Sequence, residues 1–182
     1  MTTTNRNSTI ALAAATGVLT GLFLFPARKA LVQAPTLGAK DWVSGLTAEH
    51  RLVQHAFRAL LLTTPDEVLK RKLLLAKIAY ALTKHGIEEE NVIYPALFAV
   101  KPTEAKRLSD DHVENKRALY LLRRMPATDP DWLPTAEAFS HHIDHHIHEE
   151  EDEIFPLLRG VLSAAENKTL GAMLNWEGFK AA

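Results

Sequence analysis

The chain of 182 residues contains no cysteine. That excludes disulfides, zinc fingers and thiolate iron–sulfur sites, and leaves His, Asp, Glu, Tyr and water as the only metal donors. Charge of one sign is also missing. A net charge of -1 gives no basic surface for nucleic acid, so no nucleic acid partner is expected. No stretch alternates polar and apolar residues with period two, which excludes an extensive sheet. There is no glycine-rich phosphate loop, nucleophile elbow or nucleotide fingerprint. No H-E-x-x-H occurs, which argues against a zincin protease. No E-x-x-H pair occurs either, which argues against a ferritin-like metal site.

What remains is an ordinary folded composition, 47% hydrophobic and 24% charged, with one domain and an appendage as the default. Residues 1–38 read as the appendage, an N-terminal hydrophobic segment with its linker. Residues 9–25 carry no charge, and Arg6 precedes and Arg28-Lys29 follow. That length is just enough to span a bilayer, and Gly17 and Gly21 form a GxxxG pair. Three readings compete: an uncleaved membrane anchor, a helix that packs on a partner or another copy, and a secretory signal. The third has no clean cleavage site. For a spanning segment, the basic pair places the rest of the chain in the cytoplasm, as a bacterial-type domain. Pro26 and residues 34–38 punctuate a linker.

Residues 39–182 are helical in pattern. Helix A is predicted over about 41–62, with Leu46, His50, Val53, Phe57 and Leu60 on one face. Thr64-Pro65 reads as a cap and first turn for helix B, which runs to about 100. Helix C covers about 103–125 and helix D about 130–159, with Gly160 as the stop. Ser163 and Glu166 form a capping box for a short helix E ending near Trp176. Leu170, Met173, Leu174 and Trp176 are expected to close one end. The expected fold is all-α, an antiparallel four-helix bundle.

The chain repeats itself. His85-Gly-Ile-Glu-Glu-Glu-Asn-Val-Ile-Tyr-Pro-Ala-Leu97 aligns with His146-Ile-His-Glu-Glu-Glu-Asp-Glu-Ile-Phe-Pro-Leu-Leu158. Tyr94 meets Phe155. Leu46-Thr-Ala-Glu-His50 aligns with Leu108-Ser-Asp-Asp-His112. Helices A and B are one hairpin, C and D its second copy. The proline ten residues downstream selects His146/Glu150 over His145/Glu149 as the partner of His85/Glu89. Residues i and i+4 differ by about 40° round a helix and about 6 Å along it. Each H-x-x-x-E pair therefore points two side chains into one volume, and His50 and His112 arrive from the other two helices. Four histidines and two carboxylates are too many for one tetrahedral zinc and suit two ions sharing carboxylates. The acidic runs around Glu88–Glu90 and Glu149–Glu153 otherwise read as a solvated face.

This order, H … H-x-x-x-E … H … H-x-x-x-E over about Leu46 to Leu158, resembles the hemerythrin-like (HHE cation-binding) family. The resemblance implies an oxo- or hydroxo-bridged pair of iron ions, with manganese as a second possibility. Its ligands would be His50, His85, Glu89, His112, His146 and Glu150, with Glu89 and Glu150 as bridges. Oxygen carriers of the family have a further histidine four residues after the helix C one. Here that residue is Lys116, read as a charged rim residue. His142 is a candidate additional ligand, His55 a weaker one, and Tyr80 or Tyr120 could also enter. The implied activity is binding or processing of a small oxidant (O2, H2O2 or NO), with peroxide disproportionation favoured. The alternative is a non-enzymatic oxygen or iron sensor or iron-binding module.

Overall fold

The structure is a computed structural model that describes residues 38–182; the hydrophobic segment at 9–25 lies outside the described residues. Seven helical pieces form four long rods and a closing helix: α1 (Trp42–Leu61), α2 (Val68–Glu88), α3 (Tyr94–Phe98), α4 (Pro102–Arg124), α5 (Trp132–Glu149), α6 (Phe155–Val161) and α7 (Ala164–Ala181). Two π-helical turns, Glu89–Ile93 and Glu150–Ile154, join α2 to α3 and α5 to α6. The described residues contain no strand. The antiparallel four-helix bundle is as expected: α1 packs on α2 and α5, and α4 packs on α5, α2 and α3.

The apolar interior is two separate clusters. One, with Phe57, Leu60, Ile78, Leu122, Trp132 and Phe139, fills the end near the α1–α2 connection. The other, with Trp42, Leu46, Leu97, Leu108, Phe155 and Leu174, fills the opposite end, under α7. Asp41 Oδ1 accepts from the Ser44 amide 2.8 Å away and caps α1. The capping box of α7 is present, the Glu166 amide donating to Ser163 Oγ at 3.3 Å and the Ser163 amide to Glu166 Oε2 at 2.8 Å.

Several boundaries differ from expectation. Thr64-Pro65 forms a turn, and α2 begins three residues later, with Glu67 Oε2 accepting from the Thr64 amide at 2.9 Å. Gly160 does not stop its helix; no glycine among the described residues has positive φ, and α6 runs through to Val161. Helix α7 continues past Trp176 to Ala181. Leu170 and Leu174 close the bundle end, whereas Met173 and Trp176 are exposed.

One buried cation fastens the far end. Arg71 Nε donates to Thr63 Oγ1 at 3.0 Å, Nη2 to the Thr63 carbonyl at 3.2 Å, and Nη1 to the Ala127 carbonyl. Its guanidinium lies 5.0 Å from the centre of the Trp132 ring. The α1–α2 and α4–α5 connections are thus tied through one side chain. Hydrogen bonds to a charged group contribute about 1.5–3 kcal/mol each, net of the bonds to water they replace. Arg71→Ala is expected to lower unfolding free energy by about 2–4 kcal/mol, read from chemical denaturation of the metal-free chain.

Candidate metal centre

The site lies in the layer between the two apolar clusters. Each H-x-x-x-E pair sits on the last turn of a long α-helix, and each glutamate opens a π turn. There the Tyr94 amide bonds the Glu89 carbonyl and the Phe155 amide bonds the Glu150 carbonyl, five residues back in both cases. Pro95 and Pro156 follow at once. Proline lacks the N–H an uninterrupted helix needs, so the ladder breaks and restarts at this place in both halves. π turns of this kind often mark functional sites.

All six side chains singled out from the sequence come together. Two groups of donors lie within 4.8 Å of one another: His50, His85, Glu89 and Glu150, and Glu89, His112 and His146. Glu89 belongs to both. His50 Nε2 is 2.9 Å from His85 Nε2. Glu89 Oε2 is 3.1 Å from His85 Nε2 and 3.4 Å from His112 Nε2. Glu150 turns one oxygen to each side, Oε2 at 3.4 Å from His50 Nε2 and Oε1 at 3.3 Å from His146 Nε2. Both glutamates are fully buried, and Glu89 Oε1 makes no hydrogen bond within the protein. An orphaned carboxylate oxygen amid four inward imidazole nitrogens fits a cation.

All four imidazoles turn Nε2 inward and Nδ1 outward to a carboxylate. His50 Nδ1 meets Glu151 Oε1 at 2.8 Å, His85 Nδ1 meets Glu49 Oε2 at 3.2 Å, His112 Nδ1 meets Glu90 Oε1 at 3.0 Å, and His146 Nδ1 meets Asp111 Oδ2 at 3.4 Å. A carboxylate only accepts, so Nδ1 carries the hydrogen and Nε2 is the ligating atom. These four carboxylates obey the internal repeat: Glu49 and Asp111 precede His50 and His112, while Glu90 and Glu151 follow Glu89 and Glu150. The acidic runs are therefore not simply a solvated face. Glu90 and Glu151 orient histidines, and Glu88 is buried with Lys84 Nζ 2.8 Å from its Oε1. Lys84 also pairs with Glu49. Glu49, His85 and Glu88 form a further donor group, but the Lys84 ammonium already pairs with both of its carboxyl groups.

The remaining candidates lie elsewhere. His142 joins neither donor group, and its buried Nε2 makes no hydrogen bond within the protein. His55 is exposed on α1. Tyr80 and Tyr120 are exposed; the tyrosine at the site is Tyr94. Its hydroxyl donates to Glu150 Oε1 at 2.8 Å and lies 3.0 Å from His112 Nε2. A straight α-helix would put residue i+5 about 140° from residue i, whereas the π turn stacks Tyr94 over Glu89. Lys116 is a rim residue as expected, and its Nζ pairs with Glu90 Oε1 at 2.8 Å.

Family membership follows from comparison. The family model described as hemerythrin HHE cation binding domain matches residues 43–158. The chain belongs to the hemerythrin HHE cation-binding family. It is 27% identical over 95 residues to an uncharacterised hemerythrin-like protein of Schizosaccharomyces pombe, covering 50% of this chain and 47% of that one, so it spans about half the length of this relative. Its fold is that of a hemerythrin HHE cation-binding domain-containing protein of Mycobacterium kansasii, a homologue of Rv2633c. The TM-score is 0.69, with 22% identity over 79% of this chain and 88% of the other. No helix among the described residues is long and apolar enough to cross a membrane.

Without an ion, protons must balance the buried carboxylates. Burial opposes charge on His112, but hydrogen bonds to Glu89 and Glu90 override it and raise its pKa to about 9. His85 is likewise held well above the usual value: burial opposes its charge, and the Glu89 charge and a bond to Glu49 outweigh burial. His50 is raised despite burial and the neighbouring His85 charge, through Glu150 and Glu151. Glu90 is held down to about 2, first by its bond to His112. Burial, then the hydrogen bond and charge of Glu49, push Glu88 up to about 7.

These raised imidazole pKa values stabilise the metal-free fold fully below the ordinary value of 6.5, and that contribution is lost as pH rises through about 9. Ion binding must displace the same protons and so strengthens over that window. Between pH 6.5 and 9 the Tm of metal-free protein is expected to fall while the Tm gain on adding metal grows; a shrinking gain would contradict this protonation scheme. Glu90→Gln and Glu151→Gln are each expected to weaken metal retention against a chelator by roughly 10- to 100-fold. Glu153→Gln, on the exposed surface, is the matched control and leaves retention unchanged.

Proposed function

We propose that the chain is a non-haem di-iron protein that binds and processes a small oxidant, with peroxide disproportionation as its reaction. One observation carries this reading: two donor groups share a buried glutamate beside an apolar cavity. The cavity, about 80 Å³, touches all four ligand histidines and is walled by Val53, Leu82, Leu119, Ile143 and Ile147. It exceeds several-fold the roughly 15 Å³ that one water requires, and suits a diatomic or peroxide better than an organic substrate. Asn115, on the same wall, keeps a buried amide oxygen free of protein hydrogen bonds. That acceptor suits an O–H donor, peroxide or water, and offers O2 and NO nothing to bond.

His50, His85, Glu89, His112, His146 and Glu150 would hold the ions, Glu89 and Glu150 between them. An iron pair supplies the electron changes by which one peroxide is oxidised to O2 and another reduced to two waters. The protein's part is to fix ligand orientation through the Nδ1–carboxylate bonds and to keep bulk water from the donor layer. The same donor set accepts manganese.

The second reading is a binding module, an oxygen or iron sensor or iron store, joined to a membrane or partner helix through residues 9–25. Metal content and ultraviolet-visible spectra come first: about two ions per chain with oxo-to-iron charge-transfer bands are expected, and none would leave a purely structural bundle. Protein reconstituted with iron under anaerobic conditions is then given peroxide. Oxygen evolution well above that of the His85→Ala variant is expected. Equal rates would remove the enzymatic reading, and spectral oxygen binding without turnover would install the binding module.

A further inference from the structure

The two halves of the bundle carry an aromatic ring at the same place and differ there in one oxygen. Tyr94 lies five residues after Glu89, and Phe155 five after Glu150. Each opens the helix that follows a π turn, and each is buried. Phe155 stacks on His50, with ring centres 5.9 Å apart and planes within 11°. It brings no donor to that side. Tyr94 packs on His112, with centres 5.1 Å apart, and carries its oxygen into the donor layer.

That oxygen has four neighbours: Glu150 Oε1 at 2.8 Å, His112 Nε2 at 3.0 Å, His146 Nε2 at 3.4 Å and Glu89 Oε2 at 3.5 Å. An octahedral ion with bonds of about 2.1 Å holds adjacent donors about 3.0 Å apart. A phenol acting only as hydrogen-bond donor needs one acceptor. At about edge length from Glu150 Oε1 and His112 Nε2, and within 3.5 Å of His146 Nε2 and Glu89 Oε2, Tyr94 Oη takes the position of another member of one coordination sphere.

We infer that Tyr94 is itself a metal ligand, its phenol giving up the proton it shares with Glu150 Oε1 to solvent and donating the phenolate oxygen to the ion held by His112 and His146. The inference rests on the di-iron reading above. It makes the two ion positions chemically unequal. The His112–His146 position gains an anionic oxygen donor, while the His50–His85 position, faced by Phe155, does not. The cavity touches all four ligand histidines, so it is the extra donor on the His112–His146 side that leaves the His50–His85 position the less saturated one for an oxidant.

The test uses the full chain loaded with ferric iron. Coordinated tyrosinate gives a visible phenolate-to-iron charge-transfer band and, under resonance excitation, enhanced ring vibrations. Those vibrations are expected in the wild-type protein and are expected to shift when it is grown on ring-deuterated tyrosine. The other two tyrosines, Tyr80 and Tyr120, are exposed. Tyr94→Phe is expected to keep two ions per chain and lose the band. A wild-type protein that holds two irons and shows no tyrosine-dependent vibration would overturn the inference and leave the di-iron reading standing. A chain that holds no iron would overturn both. The isotope arm needs no variant, so the outcome does not depend on whether Tyr94→Phe folds.

Discussion

Two carboxylates without solvent in the middle of a bundle set the terms for everything around them. Glu89 and Glu150 are fully buried, with no lysine or arginine against them. A buried charge that is neither paired nor hydrogen-bonded is among the most costly features a fold can contain. Here the balancing charge comes from imidazoles, which accept either a proton or a metal ion. The raised values of His50, His85 and His112 are the proton form of that balance.

The outer carboxylates complete the electrostatics. Each imidazole lies between an inner acid and an outer one, so the ring cannot rotate without losing a bond to Glu49, Glu90, Asp111 or Glu151. The crossing pattern joins the halves: Glu90 from the first hairpin holds His112 of the second, and Glu151 from the second holds His50 of the first. The duplication that is visible along the chain is therefore also an exchange of supports between its two copies. It is not fully symmetric. Glu49 is backed by the buried Lys84, whereas Asp111 is backed by Arg107 at the surface, 3.2 Å away.

The bundle, the four rods and the six converging side chains were legible because α-helical periodicity governs them. His85 and Glu89, and His146 and Glu150, share a face of an unbroken α-turn, and the offset repeat selected the pair that turns inward. What escaped lies where that periodicity stops. Tyr94 reaches the site only because the helix widens for one turn before Pro95, and a 100° rule sends it elsewhere. Glu90 and Glu151 escaped similarly: one step beyond a ligand, they seemed to face water, yet each long side chain reaches an imidazole on a neighbouring helix. The repeated acid before His50 and His112 was visible, and its pairing with the other hairpin helix was not, because it depends on how the rods pack. Gly160 misled for a local reason: it keeps ordinary helical geometry, and the real stop is the cap at Ser163.

The apolar interior is divided. One cluster surrounds Phe57 and Trp132, the other Leu97 and Phe155, and the ligand layer lies between them. Hydrophobic burial cannot pass continuously through a slab of acids and imidazoles, so the ends are joined there by backbone, by ring and hydrogen-bond contacts such as those of Phe155 and Tyr94, and by whatever cation bridges the donors. An ion in the slab acts as a rivet between two otherwise separable blocks. With it, the rods open as one cooperative unit; without it, each end has its own threshold for opening, and amide hydrogen exchange separates into two populations along the same helices.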